Sequence, residues 1–161
     1  MNIRVATISD LQEILKVYSF AREFMAKTGN PHQWADGHPK KELLLSDFPL
    51  KRLYVLEDSE GITGVFMFDT NPDPTYSYIE DGEWPNDEPY GVIHRIASMG
   101  RAKGILKAAV EFAKLQVSNV RIDTHEDNIV MQTALSKLGF KRCGIIHLEN
   151  GDPRIAYQLV V

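Results

Sequence analysis

Two spacings of apolar residues alternate along the chain and divide it into strands and helices. Over residues 91–98, alternation sends Val92, His94 and Ile96 to one face and Ile93, Arg95 and Ala97 to the other, as in a strand. From residue 105 the spacing becomes helical, with Ile105, Ala109, Phe112 and Ala113 on one side and Lys103, Lys107, Glu111 and Lys114 opposite. From Val120 onward the chain reads as a strand, a capped helix and another strand. There Asn128 predicts the N-cap, Gly139 the stop, and Ile129, Val130, Ala134, Leu135 and Leu138 the buried stripe.

Earlier in the chain, residues 2–6 predict an edge strand and a helix opens at Ser9, with Leu11, Ile14, Leu15 and Tyr18 inward. That helix runs to about Met25, and Thr28-Gly29-Asn30-Pro31 breaks it. A short helix follows Pro39, and residues 53–57 and 62–68 flank Ser59-Glu60-Gly61 as a hairpin. Residues 154–160 predict a last strand. This order predicts an α/β (α+β) fold, a mixed, largely antiparallel central sheet flanked by helices. With 161 residues and 43% hydrophobic content, one domain over residues 1–161 is expected.

Charge refines the picture. The net charge is −4, yet seven of the 22 acids lie in residues 69–90, which hold no lysine or arginine; 18 bases face the other 15 acids elsewhere. The same segment carries four of the eight prolines together with Tyr76, Tyr78, Trp84 and Tyr90, and Asp81-Gly82 predicts an extra hairpin in it. An acidic chain without a basic aromatic stripe argues against nucleic acid as a partner. No apolar run approaches the roughly 20 residues of a membrane span. Residues 1–10 have neither the apolar core nor the cleavage pattern of a secretory signal. Cys143 stands alone, which favours a reducing, cytoplasmic setting and a role as a small core residue.

Residues 100–106, GRAKGIL, link the strand to the helix. They lack the spacing of a P-loop or of GxGxxG. They nevertheless place backbone N–H groups and a positive helix end where a phosphate binds. Arg101-x-x-Gly104 resembles most of the arginine-or-glutamine-x-x-glycine-x-glycine-or-alanine turn of the GNAT acetyltransferases, with Leu106 departing from the small last residue. Asn128 followed by Lys137-Leu138-Gly139-Phe140 is similar to that family's closing segment, and the two come in the family's order.

That resemblance spans nearly the whole chain and implies acetyl-CoA as co-substrate. It implies a pantetheine arm beside the backbone of Ile96, Ala97 and Ser98, and a pyrophosphate in the turn of Arg101, Ala102, Lys103, Gly104, Ile105 and Leu106. Asn128 would lie near the far side of the cofactor. His94, on the strand that would present the thioester, is the expected base, as in a branch of the family that keeps a functional histidine two residues before the matching Ile96-Ala97. His125 is a second candidate for a proton relay. The tyrosine many members use to protonate the thiolate is replaced by Leu135, leaving Tyr157 or water. Asp123, His125 and Asp127 lack a second histidine or cysteine, so no metal is expected.

In that family the loops before the fourth strand and between the first two helices line the acceptor side. They put Trp34, Glu80, Asp81 and Glu83 forward for a small, cationic amine, amino acid or peptide N-terminus, since acids beside aromatic faces suit an ammonium. A non-catalytic acyl-CoA-binding sensor or docking domain is the alternative, and a homodimer is left open.

Overall fold

Seven strands form one sheet in a computed structural model that describes residues Met1–Val161. They are β1 Asn2–Val5, β2 Leu53–Asp58, β3 Gly61–Asp69, β4 Gly91–Ser98, β5 Asn119–Thr124, β6 Lys141–His147 and β7 Pro153–Val160. Their spatial order is β1-β2-β3-β4-β5-β7-β6, and only β4 and β5 run parallel. Four helices flank the sheet: α1 Leu11–Lys27, α2 Lys41–Asp47, α3 Ile105–Lys114 and α4 Ile129–Lys137. Leu11, Ile14, Val17 and Tyr18 of α1 and Leu44 of α2 pack with Val65 and Met67 into one core. On the opposite face Ile105 and Ala109 of α3 and Leu135 of α4 pack with Phe66 and Phe68 into another. No helix is long and apolar enough to cross a membrane.

The local signals act where the sequence put them. Asn128 Oδ1 accepts from Met131 N–H at 3.0 Å, and Gly139 takes a left-handed φ of 92° after α4. Of the expected stripe, Leu135 and Leu138 meet the core together with Met131, while Ile129 and Val130 in the first turn are exposed. Cys143 is buried on β6.

Two expectations are corrected. The alternation in β4 breaks at a β-bulge, because Val65 pairs with Ala97 and Met67 with His94, leaving Arg95 and Ile96 opposite Phe66 alone. The phase flips there: Ala97 joins His94 on the α1 side, and Ile96 joins Ile93 in the core beneath α3. Arg95 takes the αL conformation with φ 51°, which costs about 1–3 kcal/mol for a residue with a Cβ. Two contacts hold it: Tyr18 OH donates to Arg95 C=O at 2.8 Å, and the Arg95 guanidinium meets the fully buried Asp47 at 2.5 Å. The hydrogen bond contributes about 0.5–1.5 kcal/mol against that strain, and the ion pair holds the side chain beyond it.

The expected hairpin at Asp81-Gly82 is also absent. Glu80 instead makes a two-way backbone bridge with Ile145 of the edge strand β6 (2.9 and 2.8 Å). At Gly82, φ 156°, a Cβ would sit 1.9 Å from Cys143 C=O, so the chain lies flat against β6 and has no room to return on itself.

Asp47 also binds Arg52 Nε at 2.7 Å, so one carboxylate is shared by two arginines, and Asp69 adds a second acid to Arg52. Asp47→Ala should lower stability by about 3–5 kcal/mol. In urea unfolding at pH 7, a loss under 1 kcal/mol would show that the bulge holds without this pair.

Candidate active site

The bulge shapes the site. β4 and β5 pair only at Gly91–Val120 and Val92–Arg121, and beyond these the strands part. The wedge opens into a cavity of about 890 Å³. Residues of the α1–α2 connection roof it, with the start of the acidic segment on one side and the β6–β7 turn on the other.

His94 lines this cavity from β4. Its Nε2 lies 2.6 Å from Asp73 Oδ2, and its Nδ1 lies 3.7 Å from Asp123 Oδ2. Asp73 is fixed before any substrate arrives. Its Oδ1 accepts from Thr75 N–H (2.9 Å) and Thr75 Oγ1 (2.7 Å), and its own N–H donates to Tyr90 Oη (2.9 Å). Burial pushes the Asp73 carboxyl upward, but the bonds from His94 and Thr75 outweigh it and hold the group at about 2. Asp123 accepts from Tyr76 OH at 2.7 Å. Burial and the Asp123 charge raise the Tyr76 hydroxyl well above its usual range, so it stays a donor.

A second polar group sits across the cavity. His38, from the α1–α2 connection, is pushed down to about 4 by burial and then by Arg95, Arg154 and Arg22, and is therefore neutral at pH 7. Trp34 lines the cavity as expected, its ring 5.6 Å from Tyr18 and 6.2 Å from His38.

The turn before α3 has the features of an anion cradle. No N–H group from Arg101 to Lys107 finds an acceptor in the protein, and Gly104 adopts φ 81° with open space around it. Ala102 and Leu106 lean on the core under α3, so the bulky Leu106 leaves the amide row clear. These residues fit a pyrophosphate. Arg101 is bound elsewhere, however: its guanidinium meets Asp58 at 3.0 Å, Glu60 at 3.5 Å and Gly61 C=O at 3.1 Å. Lys103 is exposed and unpaired.

Ile96 lines the cavity, whereas several other expected residues stand apart from it. His125 lies off it, its Nδ1 accepting from Asp127 N–H at 3.0 Å, and does not reach His94. Asn128 has both side-chain ends engaged within the chain, as cap of α4 and as donor to Gln33 Oε1 at 3.0 Å. Glu80 pairs with His147 at 2.6 Å on the β6 side, and Asp81 and Glu83 are exposed around the Gly82 turn. None of the three lines the cavity. Instead the same acidic segment delivers Asp69 and Asp73 from its first residues. Trp84 and Tyr90 do face a cation, but it is the chain's own Arg121, at 3.9 and 4.0 Å. Ser98 Oγ accepts from Gly100 N–H at 3.0 Å and helps set the turn. Leu135 is wholly buried, and Tyr157 belongs to the same core.

Asp73, Tyr76, Asp123, His38 and Arg154 were not expected in the site. The one local signal was Asp73-Pro74-Thr75, a capping pattern that fixes a carboxylate and leads straight into Tyr76; Asp123 and Arg154 reach the cavity through strand pairing, and His38 through the path of the α1–α2 connection.

His38 takes up a proton near pH 6.5 when unfolded and only near pH 4 when folded. Its contribution is therefore flat above pH 6.5 and turns against the fold as pH falls from about 6.5 to about 4. His38→Gln should remove that part of the slope, measured by urea unfolding at pH 7, 6, 5 and 4.5. Identical slopes in both proteins would mean that His38 is not held neutral.

No protein-family model and no curated protein matches the sequence. Solved structures do. An acetyltransferase of the GNAT family from Streptococcus agalactiae superposes with a TM-score of 0.88 at 30% identity, over 99% of this chain and 95% of that one. A putative acetyltransferase from Staphylococcus aureus Mu50 is 26% identical over 99% of each chain, with a TM-score of 0.71. A ribosomal-protein-alanine N-acetyltransferase from Brucella melitensis, 18% identical over the full length of both chains with a TM-score of 0.61, shares the fold. With its splayed β4 and β5 and its amide-lined turn before α3, the chain belongs to the GNAT family of acetyltransferases.

Proposed function

We propose that this protein moves the acetyl group of acetyl-CoA directly onto the nitrogen of a small amine, with His94 taking the proton that the amine must lose. The observation that carries this reading is the position of His94 in the wedge, between Asp73 and Asp123. A free alkylamine has a pKa of about 10 and arrives as an ammonium, so attack needs a group that takes its proton, and an imidazole in reach of the amine suits that task.

The neighbours give the imidazole its direction. Asp73 is ionised and accepts from Nε2–H, which leaves the Nδ1 lone pair turned to the Asp123 side. Asp123, already an acceptor from Tyr76, attracts the ammonium electrostatically, and Trp34 offers it an aromatic wall. The proton passes to Nδ1, and Asp73 then stabilises the imidazolium, the same division of labour as in a base oriented by a carboxylate. Acetyl-CoA supplies the thioester, and the amide row from Arg101 to Lys107 with Lys103 would hold its phosphates. As the N–C bond forms and the C–S bond breaks, the thiol, with a pKa of about 8.5, leaves without a dedicated acid. A buried Leu135 at the usual tyrosine position fits that economy.

Incubation with acetyl-CoA and a panel of small amines should release free thiol. His94→Gln should lower kcat about 10²-fold with the acetyl-CoA KM unchanged. Wild-type rates in that variant from pH 6 to 9 would remove His94 from the chemistry. Binding of CoA without thiol release for any amine would mark a binding domain instead.

At the cradle, Lys103→Glu should weaken CoA binding, and more so at low salt. Arg101→Glu should weaken it less, because Asp58 and Glu60 already hold that guanidinium. Isothermal titration at two salt concentrations measures both, and equal affinity in wild type and Lys103→Glu would move the phosphates elsewhere.

A further inference from the structure

Arg154 is the exceptional arginine of the cavity. It lies on β7 and is only 6% exposed. Asp123 pairs in register with Ala156, so Arg154 stands two residues along on the same face, diagonal to Asp123. Its guanidinium donates to Pro153 C=O at 2.9 Å and to Gln33 C=O at 3.4 Å, and Nε makes no bond within the chain.

Arginines buried this deeply are ordinarily paired with a carboxylate. The other two cavity arginines follow that rule. Arg95 is bound to Asp47 at 2.5 Å, and Arg52 to Asp47 at 2.7 Å and Asp69 at 3.3 Å. Arg154 makes no ion pair, although Asp123 and Asp152 are close enough for their charges to act on it. Its surroundings are nevertheless built. Gln33, whose backbone roofs it, has its side chain fixed by Asn128 (3.0 Å), Asn30 (2.9 Å) and Thr124 (3.3 Å). A guanidinium keeps its charge at every relevant pH and matches a carboxylate with two parallel N–H donors.

We infer that Arg154 anchors a carboxylate of the acceptor, so that the substrate carries an amine and an acid in one small molecule, as an amino acid does. The inference rests on the transferase reading above and specifies its acceptor. The ammonium end lies toward His94, Asp73 and Asp123, and the acid end toward Arg154. One cavity thus presents opposite charges to the two ends of a zwitterion, and a simple amine satisfies only one of them. Asp73, 2.6 Å from His94, keeps the acid end from binding in reverse by like-charge repulsion.

The test compares acceptors in pairs by thiol release with acetyl-CoA: amino acids against their own amides, with β-alanine and γ-aminobutyrate to vary the spacing between the charged ends. The best amino acid should exceed its amide in kcat/KM by about 10²-fold, the scale of a buried charge deprived of its partner. Arg154→Gln should bring that ratio close to one, mainly through the acceptor KM, while the acetyl-CoA KM stays the same, and Arg154→Lys should restore part of it. Amides used as well as acids by the wild type, or a ratio untouched in Arg154→Gln, would overturn the inference and leave the transferase reading standing. Should Arg154→Gln fail to fold, the wild-type ratio decides alone. If no amine releases thiol, the transferase reading falls and this one with it.

Discussion

The contact between Asp47 and Arg95 holds the β4 bulge in place, and the working geometry of the protein follows from that bulge. The extra residue in β4 is accommodated in the ladder to β3 with αL backbone at Arg95. That strain persists because a carboxylate with no solvent exposure meets a guanidinium that is itself 12% exposed. Tyr18 of α1 adds its hydroxyl to the Arg95 carbonyl, so helix, strand and buried ion pair fix one another. Arg95 Nε remains buried without a partner, a residual cost that the structure tolerates at this point.

From that fixed point the sheet opens. Pairing between β4 and β5 ends after two residue pairs, and the wedge exposes His94 from one strand and Asp123 from the other. The parting also leaves the β4 edge beyond Val92 free of a strand partner, in line with the amide row at the start of α3. A strand edge and a helix N-terminus are thereby set end to end, which suits a long ligand with amides at one end and phosphates at the other.

Charge within the wedge is arranged by burial and not by composition. The acids richest in the sequence, around Glu80 to Glu83, sit outside on β6 or in solvent. The two that matter to His94 are held by hydroxyls and amides that fix their orientation before substrate arrives. Opposite them, His38 is kept neutral by burial and by three arginines, so it adds no charge of its own to the positive side of the cavity. The zwitterion proposed for this cavity meets a field already laid out along its length.

The sequence by itself determined the element order, the helix ends and the GNAT resemblance, because caps, glycine stops and apolar periods act within a few residues. Asn128, Gly139 and the turn at Gly104 are cases of this. It also put forward His94 and Trp34, which the structure places on the wall of the cavity. Strict alternation could not reveal the bulge, since the extra residue is defined only against Phe66 on another strand. Nor could it show that Asn128 is engaged by Gln33, or that Arg101 folds back onto Asp58, because those partners lie 95 and 43 residues away. Asp123 and Arg154 become neighbours through the pairing of β5 with β7. Whether a charged residue is paired, exposed or left for a ligand depends on such long-range contacts, and only the tertiary structure decides it.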